Sequence, residues 1–413
     1  MINRFTKVIL VLLTVYLIGC NEQPTELGYQ IDSVSFQAIS SQEFDIVQNA
    51  ESQRFYLTPF NQGVFQVGTN DEYSAYPILR YDNIAFLDSA ETIVSAKLKL
   101  IKSGYALGDT NSLQSFEIYE VKVPVLPTST YETIIEQNGL ENIYEGPVMG
   151  QFESPVNMID DTTYIDLDLQ LIQNWIDFSV LEATNAIDSN DFRRQHSYSI
   201  GLKPTENSQV INAYLSERIG STSQSPNPLI EIVYKWPDST DNDTLLLKAN
   251  VAAYYANAPE PIENSLTVQS AISIRSKLDF DVSALPDYAS VVKAVLKIYV
   301  NDEESYYGSL GRDSFLLAQK DVSFGDGFFS SVENIYLGLR SSGNDFYRFT
   351  SVTSAVEDWV RNDGRGSLML YYAPNTSPSD TYFRLDKYAL YGTEAEEALR
   401  PELTIFYAKR PEF

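Results

Sequence analysis

The sequence predicts an all-β protein: two tandem antiparallel, jelly-roll-like β-sandwiches, each with one short helix, placed after an N-terminal signal peptide. Three observations predict it. Short apolar stretches rich in β-branched and aromatic residues alternate with clusters of Gly, Asn, Asp, Ser and Pro. Strands do not alternate with helices in the βαβ manner that marks a parallel sheet. The two halves of the chain also present the same elements in the same order, which indicates an internal duplication.

The strands are the first elements shared by the halves. Leu79-Arg-Tyr81-Asp82 in the first half corresponds to Leu278-Asp-Phe280-Asp281 in the second. Each is followed by an alternating strand, Ala96-Lys-Leu98-Lys-Leu100 or Ala294-Val-Leu296-Lys-Ile298. Side chains in a strand point to opposite faces in turn, so the leucines and the isoleucine are expected in the core and the lysines in water.

A helix and two strands complete each half. Leu171, Ile172, Trp175 and Ile176 recur at helical spacing in the first half, and Val352, Val356, Trp359 and Val360 do so in the second. We expect each tryptophan to pin its helix onto the open end of a sandwich. Strands 198–202 and 366–370 follow these helices, and the closing strands run from Pro228 to Tyr234 and from Pro401 to Tyr407.

These elements set the predicted domain boundaries. Residues 237–244 contain no apolar side chain and have the composition of a linker. The prediction is therefore a signal peptide at 1–19, a tether at 20–41, a first sandwich at 42–236, a linker at 237–244 and a second sandwich at 245–413. Such a linker would let each half fold alone.

The N-terminus has the three zones of a secretory signal. Arg4 and Lys7 are followed by an apolar segment of eleven residues, 8–18, which is too short to span a bilayer. The ending Leu17-Ile-Gly-Cys20 resembles the lipobox of bacterial lipoproteins. The resemblance implies cleavage before Cys20 and lipid attachment to it, hence a partner membrane reached through that lipid. Asn rather than Asp at position 21 implies an outer-membrane location, on the periplasmic or the cell-surface side.

The chain is strongly acidic, with a formal net charge of −27. Removal of Arg4 and Lys7 with an otherwise uncharged signal peptide takes this to −29. Such a charge argues against a nucleic-acid partner and against broad contact with anionic membrane surfaces. Cys20 is the only cysteine, so neither an internal disulfide nor a cysteine metal site can form.

The markers together resemble the DNRLRE domain, a jelly-roll-like β-sandwich grouped with carbohydrate-binding modules, some of which bind alginate. Residues 265–408 resemble it most, ending in Arg400-Pro401-Glu-Leu403-Thr-Ile405-Phe-Tyr407. Residues 65–235 resemble a diverged copy with extra loops, notably 130–161. The resemblance implies a polysaccharide ligand. Arg80 and Arg275 are the nearest counterparts of the signature's arginine.

No catalytic centre is predicted. His196 is the only histidine, and the chain lacks the Gly-x-Ser-x-Gly elbow of serine hydrolases. Arg193, Arg194 and His196 lie close in sequence and form either a small basic pocket for an acidic sugar or, the favoured reading, a loop paired with nearby carboxylates. No cofactor is expected. The acidic stretch 238–243 could hold a structural calcium ion, but a solvated hinge is the favoured reading.

The predicted function is that of a membrane-anchored, non-catalytic binding lipoprotein for polysaccharide. The alternative is a structural or adhesive envelope lipoprotein with protein partners. An enzyme such as a polysaccharide lyase or glycosidase is the least favoured reading, because no carboxylate pair stands out among the acidic residues.

Overall fold

The computed structural model describes residues 35–56, 62–81, 87, 92–123, 125, 128–183, 198–218, 228–257, 260–263, 265–269, 274–286, 289–312, 315–321, 332–341, 343–371 and 384–409. Cys20 and the trio Arg193, Arg194 and His196 lie outside these residues. The predictions made for them stay predictions.

Within the described residues, the first half of the chain contributes eleven strands: β1 (Ser35–Ser40), β2 (Val47–Arg54), β3 (Gln62–Thr69), β4 (Ser74–Tyr81), β5 (Thr92–Leu107), β6 (Leu113–Glu120), β7 (Gly150–Pro155), β8 (Thr162–Asp166), β9 (Ser199–Pro204), β10 (Ile211–Arg218) and β11 (Leu229–Lys235). The second half contributes ten: β12 (Asp243–Ala256), β13 (Ser265–Gln269), β14 (Ile274–Asp281), β15 (Ala289–Tyr299), β16 (Phe315–Asp321), β17 (Val332–Leu339), β18 (Phe346–Phe349), β19 (Arg365–Tyr371), β20 (Lys387–Tyr391) and β21 (Glu402–Lys409).

The helical elements are few and short. In the described part of the chain they are the α-helices Leu140–Ile143, Leu169–Ala183 and Thr353–Arg361, a π-helical segment Glu132–Glu136, and 3-10 turns at Val156–Met158 and Glu397–Leu399. The predicted fold class is confirmed: the described chain is all-β with a few short helices.

The strands belong to two antiparallel sheets, each wrapped around its own core. One has the order β12-β11-β5-β10-β3-β4-β9-β6-β7, with β8 beside β5, and it closes on itself because β12 also pairs with β4. We call this the first sandwich. The other, the second sandwich, has the order β1-β21-β15-β18-β17-β16-β19-β14-β13-β20, with β2 beside β14.

The predicted alternation positions the cores. Leu98 and Leu100 on β5 are buried in the first sandwich, and Leu296 and Ile298 on β15 are buried in the second. On β14 the burial alternates strictly, with Ile274, Ser276, Leu278 and Phe280 inside.

The predicted helix contacts are also confirmed. The ring of Trp175 lies 6.0 Å from that of Tyr81 and 5.6 Å from that of Tyr198, between centroids. Trp359 stacks on Phe280 at 4.9 Å. Gly366 is required beside this indole, because a Cβ there would overlap the ring. Each tryptophan thus joins its helix to the sheet below it.

The duplication extends to the pairing of every major strand. β4 lies beside β9 as β14 lies beside β19, and β5 lies beside β11 as β15 lies beside β21. β6 pairs with β7 and β9, and β16 pairs with β17 and β19. β3 pairs with β10 as β13 pairs with β20.

The first strands of the two halves are exchanged. β1 and β2 open the first half of the chain, yet β1 pairs with β21 and β2 pairs with β14, both in the second sandwich. β12 opens the second half, yet it pairs with β11 and β4 in the first sandwich. Each sandwich is therefore completed by the starting segment of the other half.

The registers show that the exchanged segments occupy equivalent positions. Tyr81 pairs with Ala249 and Arg80 with Val251, so one residue of β12 is skipped. In the second sandwich Phe280 pairs with Val47 and Asp279 with Asn49, so one residue of β2 is skipped at the corresponding place. A matching β-bulge in both sheets is a feature inherited by duplication, since bulges are specific local structures.

The exchange corrects the predicted domain boundaries. The prediction of a linker at 237–244 is wrong, because this segment is the turn between β11 and β12, which pair from Tyr234 with Asp243 to Leu229 with Lys248. The predicted tether at 20–41 includes β1, which is a strand of the second sandwich. The first sandwich spans 62–256, and the second combines 35–54 with 265–409. A segment without apolar residues is typical of a hairpin turn as well as of a linker, so its composition does not distinguish the two.

Polar contacts hold the two sandwiches together. The Tyr105 hydroxyl donates to Asp386 Oδ1 at 3.0 Å, and the Gly308 amide donates to the same oxygen at 2.7 Å. Burial, reinforced by the Asp386 carboxylate, raises the pKa of Tyr105 well above its ordinary value. Lys387 Nζ lies 2.8 Å from Glu72 Oε2. The Tyr105–Asp386 and Lys387–Glu72 contacts join residues from opposite halves of the chain, so the sandwiches share a specific interface as well as exchanged strands.

Candidate functional site

A groove opens between β7 and β8 at one end of the first sandwich. In the second sandwich the corresponding strands β17 and β18 pair, Gly338 with Phe349 and Leu339 with Arg348. In the described part of the first sandwich β7 pairs only with β6, and β8 only with β5. The two edges stay joined at one end by the Asp168 amide, which donates to the Met149 carbonyl at 2.6 Å. The groove is thus a local departure from the repeated plan.

The groove has a volume of about 670 Å³, within the range of small-ligand sites. Met149, Ile165 and Leu167 are buried and form its floor. Its remaining lining is mixed aliphatic, aromatic and polar: Val148, Gly150, Gln151, Phe152, Tyr164, Asp166 and Asp168. An apolar base with convergent polar groups is the usual character of a binding site.

An exposed aromatic side chain stands on the β8 side of the groove. Tyr164 is 51% exposed, and Lys99 Nζ lies 5.6 Å from the centroid of its ring. Phe152 on the β7 side is half-buried and packs on Phe116 at 5.1 Å between ring centroids. Because Phe152 is held by the core, Tyr164 is the ring with a free surface to offer a ligand.

Hydrogen-bonding groups line the same groove as that ring. Asp166 lies 3.5 Å from Lys97 Nζ across the strand pair and keeps an exposed carboxylate. Asp168 Oδ1 accepts from the Gln170 amide at 2.8 Å, which orients it at the start of the helix Leu169–Ala183. Gln151 is exposed on the opposite strand. Carboxylate and amide oxygens therefore converge from both edges of the groove.

Gly150 keeps the groove's edges close at its closed end. A Cβ at this position would lie 2.9 Å from the Asp166 carbonyl oxygen and 3.2 Å from both Ile118 and Leu167. A larger residue would push β7 away from β8, so the glycine sets the width of the groove.

An additional apolar cluster covers part of the outer face of the first sandwich. In the first sandwich the predicted insertion folds back over β4, β6 and β12. Val125, Ile134, Ile143 and Tyr144 pack there on a small apolar cluster that includes Ile78 and Tyr255. That face is therefore covered. The predicted extra loops at 130–161 also contain β7, the counterpart of β17, so this region is part insertion and part repeated strand.

The predicted arginines lie on these outer faces and do not meet. Arg80 lies on β4 opposite Ser199 and Val251 in the first sandwich, and its side chain has an interaction partner. Arg275 lies on β14 in the second, where its Nη1 is 3.9 Å from Met369 Sδ. Burial lowers the pKa of the Arg275 guanidinium. Neither residue lines the groove.

Sequence reasoning missed the groove residues. Tyr164-Ile165-Asp166-Leu167-Asp168 alternates perfectly before the helix, which would have identified a strand with Tyr164 and the acids on one face. The sequence contained no sign that β8 would lack a partner on that side. The acidic stretch 238–243 forms the β11–β12 turn. Within the described ranges, no group of three or more His, Cys, Asp or Glu residues could hold a metal ion.

Comparisons with known proteins add little to this description. No family model matches the chain, and no curated protein matches it. A solved structure titled "BspA_C_mut" aligns with a TM-score of 0.14 and 8% identity, over 84% of this chain and 91% of that one. A score this low carries no argument about fold or function. No helix in the described ranges is long and apolar enough to cross a membrane.

Proposed function

We propose that the protein is a membrane-anchored, non-catalytic lipoprotein that binds polysaccharide through the groove between β7 and β8. The observation that carries the proposal is the exposed Tyr164 ring in a groove that Asp166, Asp168 and Gln151 also line. A pyranose has an apolar C–H face that packs on an aromatic ring and hydroxyl groups at its edge. The carboxylate and amide groups that line the groove would form hydrogen bonds with those hydroxyls.

The anchor and the location complete the proposal. The lipobox resemblance at Leu17–Cys20 supports lipid attachment to Cys20, and Asn21 supports an outer-membrane location. The resemblance to the DNRLRE domain supports a carbohydrate ligand. The absence of a Gly-x-Ser-x-Gly elbow and the single histidine of the sequence support a binding role over serine-hydrolase chemistry.

A glycan array probed with the full-length protein tests the ligand. We expect retention on at least one polysaccharide, and Tyr164→Ala should weaken it about tenfold or more, which corresponds to ~1.4 kcal/mol of lost binding energy. Leu246→Ala is the matched control, because Leu246 is similarly exposed at 55% on the same sandwich but lies on β12, away from the groove. No retention on any glycan, or equal weakening by both variants, would contradict the proposal.

A second candidate function is supported by a different surface. Ile335, Leu337 and Leu339 on β17 are 62%, 44% and 55% exposed and share one face of the strand. The corresponding strand of the first sandwich, β7, instead exposes Gln151 and Glu153. Exposed aliphatic rows of this kind mark protein-binding surfaces. An envelope lipoprotein with a protein partner is therefore the alternative, tested by comparing cross-linked partners of the wild type and Leu337→Asp.

A further inference from the structure

Two exposed phenylalanines mark the outer face of the sheet nearest the start of the described chain. Phe36 on β1 is 74% exposed and Phe406 on β21 is 42% exposed. Phe36 pairs with Ala408, and Phe406 pairs with Ala38, so the two rings are diagonal neighbours on adjacent strands. Their strands bury Ile39 and Ile405 on the opposite face. The phenylalanines therefore point away from the core.

The neighbouring strand extends this surface. Val292 on β15 is 52% exposed at the bulge between Val291 and Lys293, and Lys293 pairs with Phe406. We call Phe36, Phe406, Val292 and Lys293 the phenylalanine patch. The other outward positions beside it are small or hydroxylated: Ala38, Ser40, Ser290, Thr404 and Ala408. In a chain with a net charge of −27, these positions include no acid.

The phenylalanines of the patch belong to one sandwich only, whereas Val292 has an exposed counterpart, Val94, at the same bulge of the first sandwich. Tyr407 pairs with Gln37 in the second sandwich, and Tyr234 pairs with Asp243 at the equivalent place in the first. Asn242 and Val233 therefore occupy the positions of Phe36 and Phe406 in the first sandwich. The duplicated surface has kept a polar residue and a smaller aliphatic one there.

The place of the patch in the chain brings it close to the predicted lipid anchor. Strand exchange puts β1, the first strand after Cys20, on the second sandwich. Fifteen residue steps separate Cys20 from Ser35, which limits their separation to roughly 50 Å. Phe36 immediately follows Ser35. Exposed aromatic rings and a lysine, with the next acid along β21, Glu402, paired with Lys297 Nζ at 2.8 Å, have the character of a membrane-interface contact.

We propose that the phenylalanine patch rests on the bilayer in which the lipid of Cys20 is inserted, at a surface of neutral headgroups. The second sandwich, rather than the first, is then the membrane-proximal one. This inference rests on the lipid anchor of the proposed function. The acidity of the rest of the chain favours zwitterionic over anionic lipids as the contact surface.

Lipidated full-length protein in phosphatidylcholine and phosphatidylethanolamine vesicles tests the proposal. F36W and F406W place a reporter in the patch, and N242W places the same reporter at the equivalent position of the first sandwich. Native Trp175, Trp236 and Trp359 give a background that the unsubstituted protein measures. With lipids brominated along the acyl chain, the fluorescence added by F36W and F406W should shift to the blue and be lost by quenching, and that added by N242W should not.

The outcomes separate the patch from the anchor. Flotation of the protein with the vesicles, and loss of flotation in Cys20→Ala, would report the anchor. If the protein floats but F36W and F406W are quenched no more than N242W, the patch proposal is overturned and the anchor stands. If the lipidated protein does not float, the anchor fails and the patch proposal falls with it.

Discussion

Dividing the chain at its repeat boundary should give two halves that do not fold separately, because each lacks a strand that the other supplies. Fragment 21–236 contains β1 to β11 but lacks β12, which lies between β11 and β4 in the first sandwich. Fragment 243–413 contains β12 to β21 but lacks β1 and β2, which cover β21 and β14 in the second. Fragment 62–257, of similar length to the first, contains every strand of the first sandwich.

The missing strand carries a large part of the core. β12 buries Leu247, Val251, Tyr254 and Tyr255. Burial of each large apolar side chain stabilises a fold by about 1.5–3 kcal/mol. Loss of all of these is therefore comparable with the whole stability of a domain, about 5–15 kcal/mol. The unpaired edges of β11 and β4 would add a tendency to aggregate.

Circular dichroism and urea unfolding of the purified fragments measure the effect. We expect 62–257 to unfold cooperatively, and 21–236 and 243–413 to be unfolded or insoluble alone. Refolded together, the two halves should form a soluble one-to-one complex, because each then regains its exchanged strand. If 21–236 folds cooperatively and 62–257 does not, the exchange is refuted and the linker at 237–244 is restored.

Two further perturbations follow from the packing. Trp359→Ala removes the ring stacked on Phe280 and should lower the free energy of unfolding in urea by about 3–5 kcal/mol. The control Trp236→Ala, at a half-buried site in the β11–β12 turn, should lower it less. Equal losses would contradict the role of Trp359 in holding its helix to the sheet. Burial raises the pKa of Tyr119 and of Tyr131 to about 12. The stability that these phenols contribute should be complete below pH ~10, the pKa of an unfolded tyrosine, and be lost as the pH rises through about 12. The tyrosinate absorbance of the wild type minus that of a Tyr119→Phe, Tyr131→Phe variant isolates these two phenols, and circular dichroism recorded alongside reports the fold. Difference absorbance that appears at pH ~10 while the protein is still folded would contradict the prediction.

The candidate site illustrates where the sequence stops being informative. The alternation of polar and apolar residues predicts that Tyr164, Asp166 and Asp168 share one face of a strand, because it depends only on neighbours in the chain. Whether that strand has a partner depends on the path of β7, which lies beyond an insertion that the sequence shows only as extra length. Arg80 and Arg275 lie on outer faces, in different sheets. Residues chosen by similarity to a signature had no geometric reason to converge.

The fold class, the duplication and the two tryptophan contacts can be predicted from the amino-acid sequence. Those properties follow from local periodicity, which fixes the buried face of each strand and helix. Which sandwich each starting segment completes becomes apparent from the strand pairing in three dimensions. β12 and β2 have the same bulge at equivalent positions of the two sheets, so their local pattern does not indicate which sandwich each completes. That choice depends on contacts between residues distant in the chain, which local periodicity does not contain.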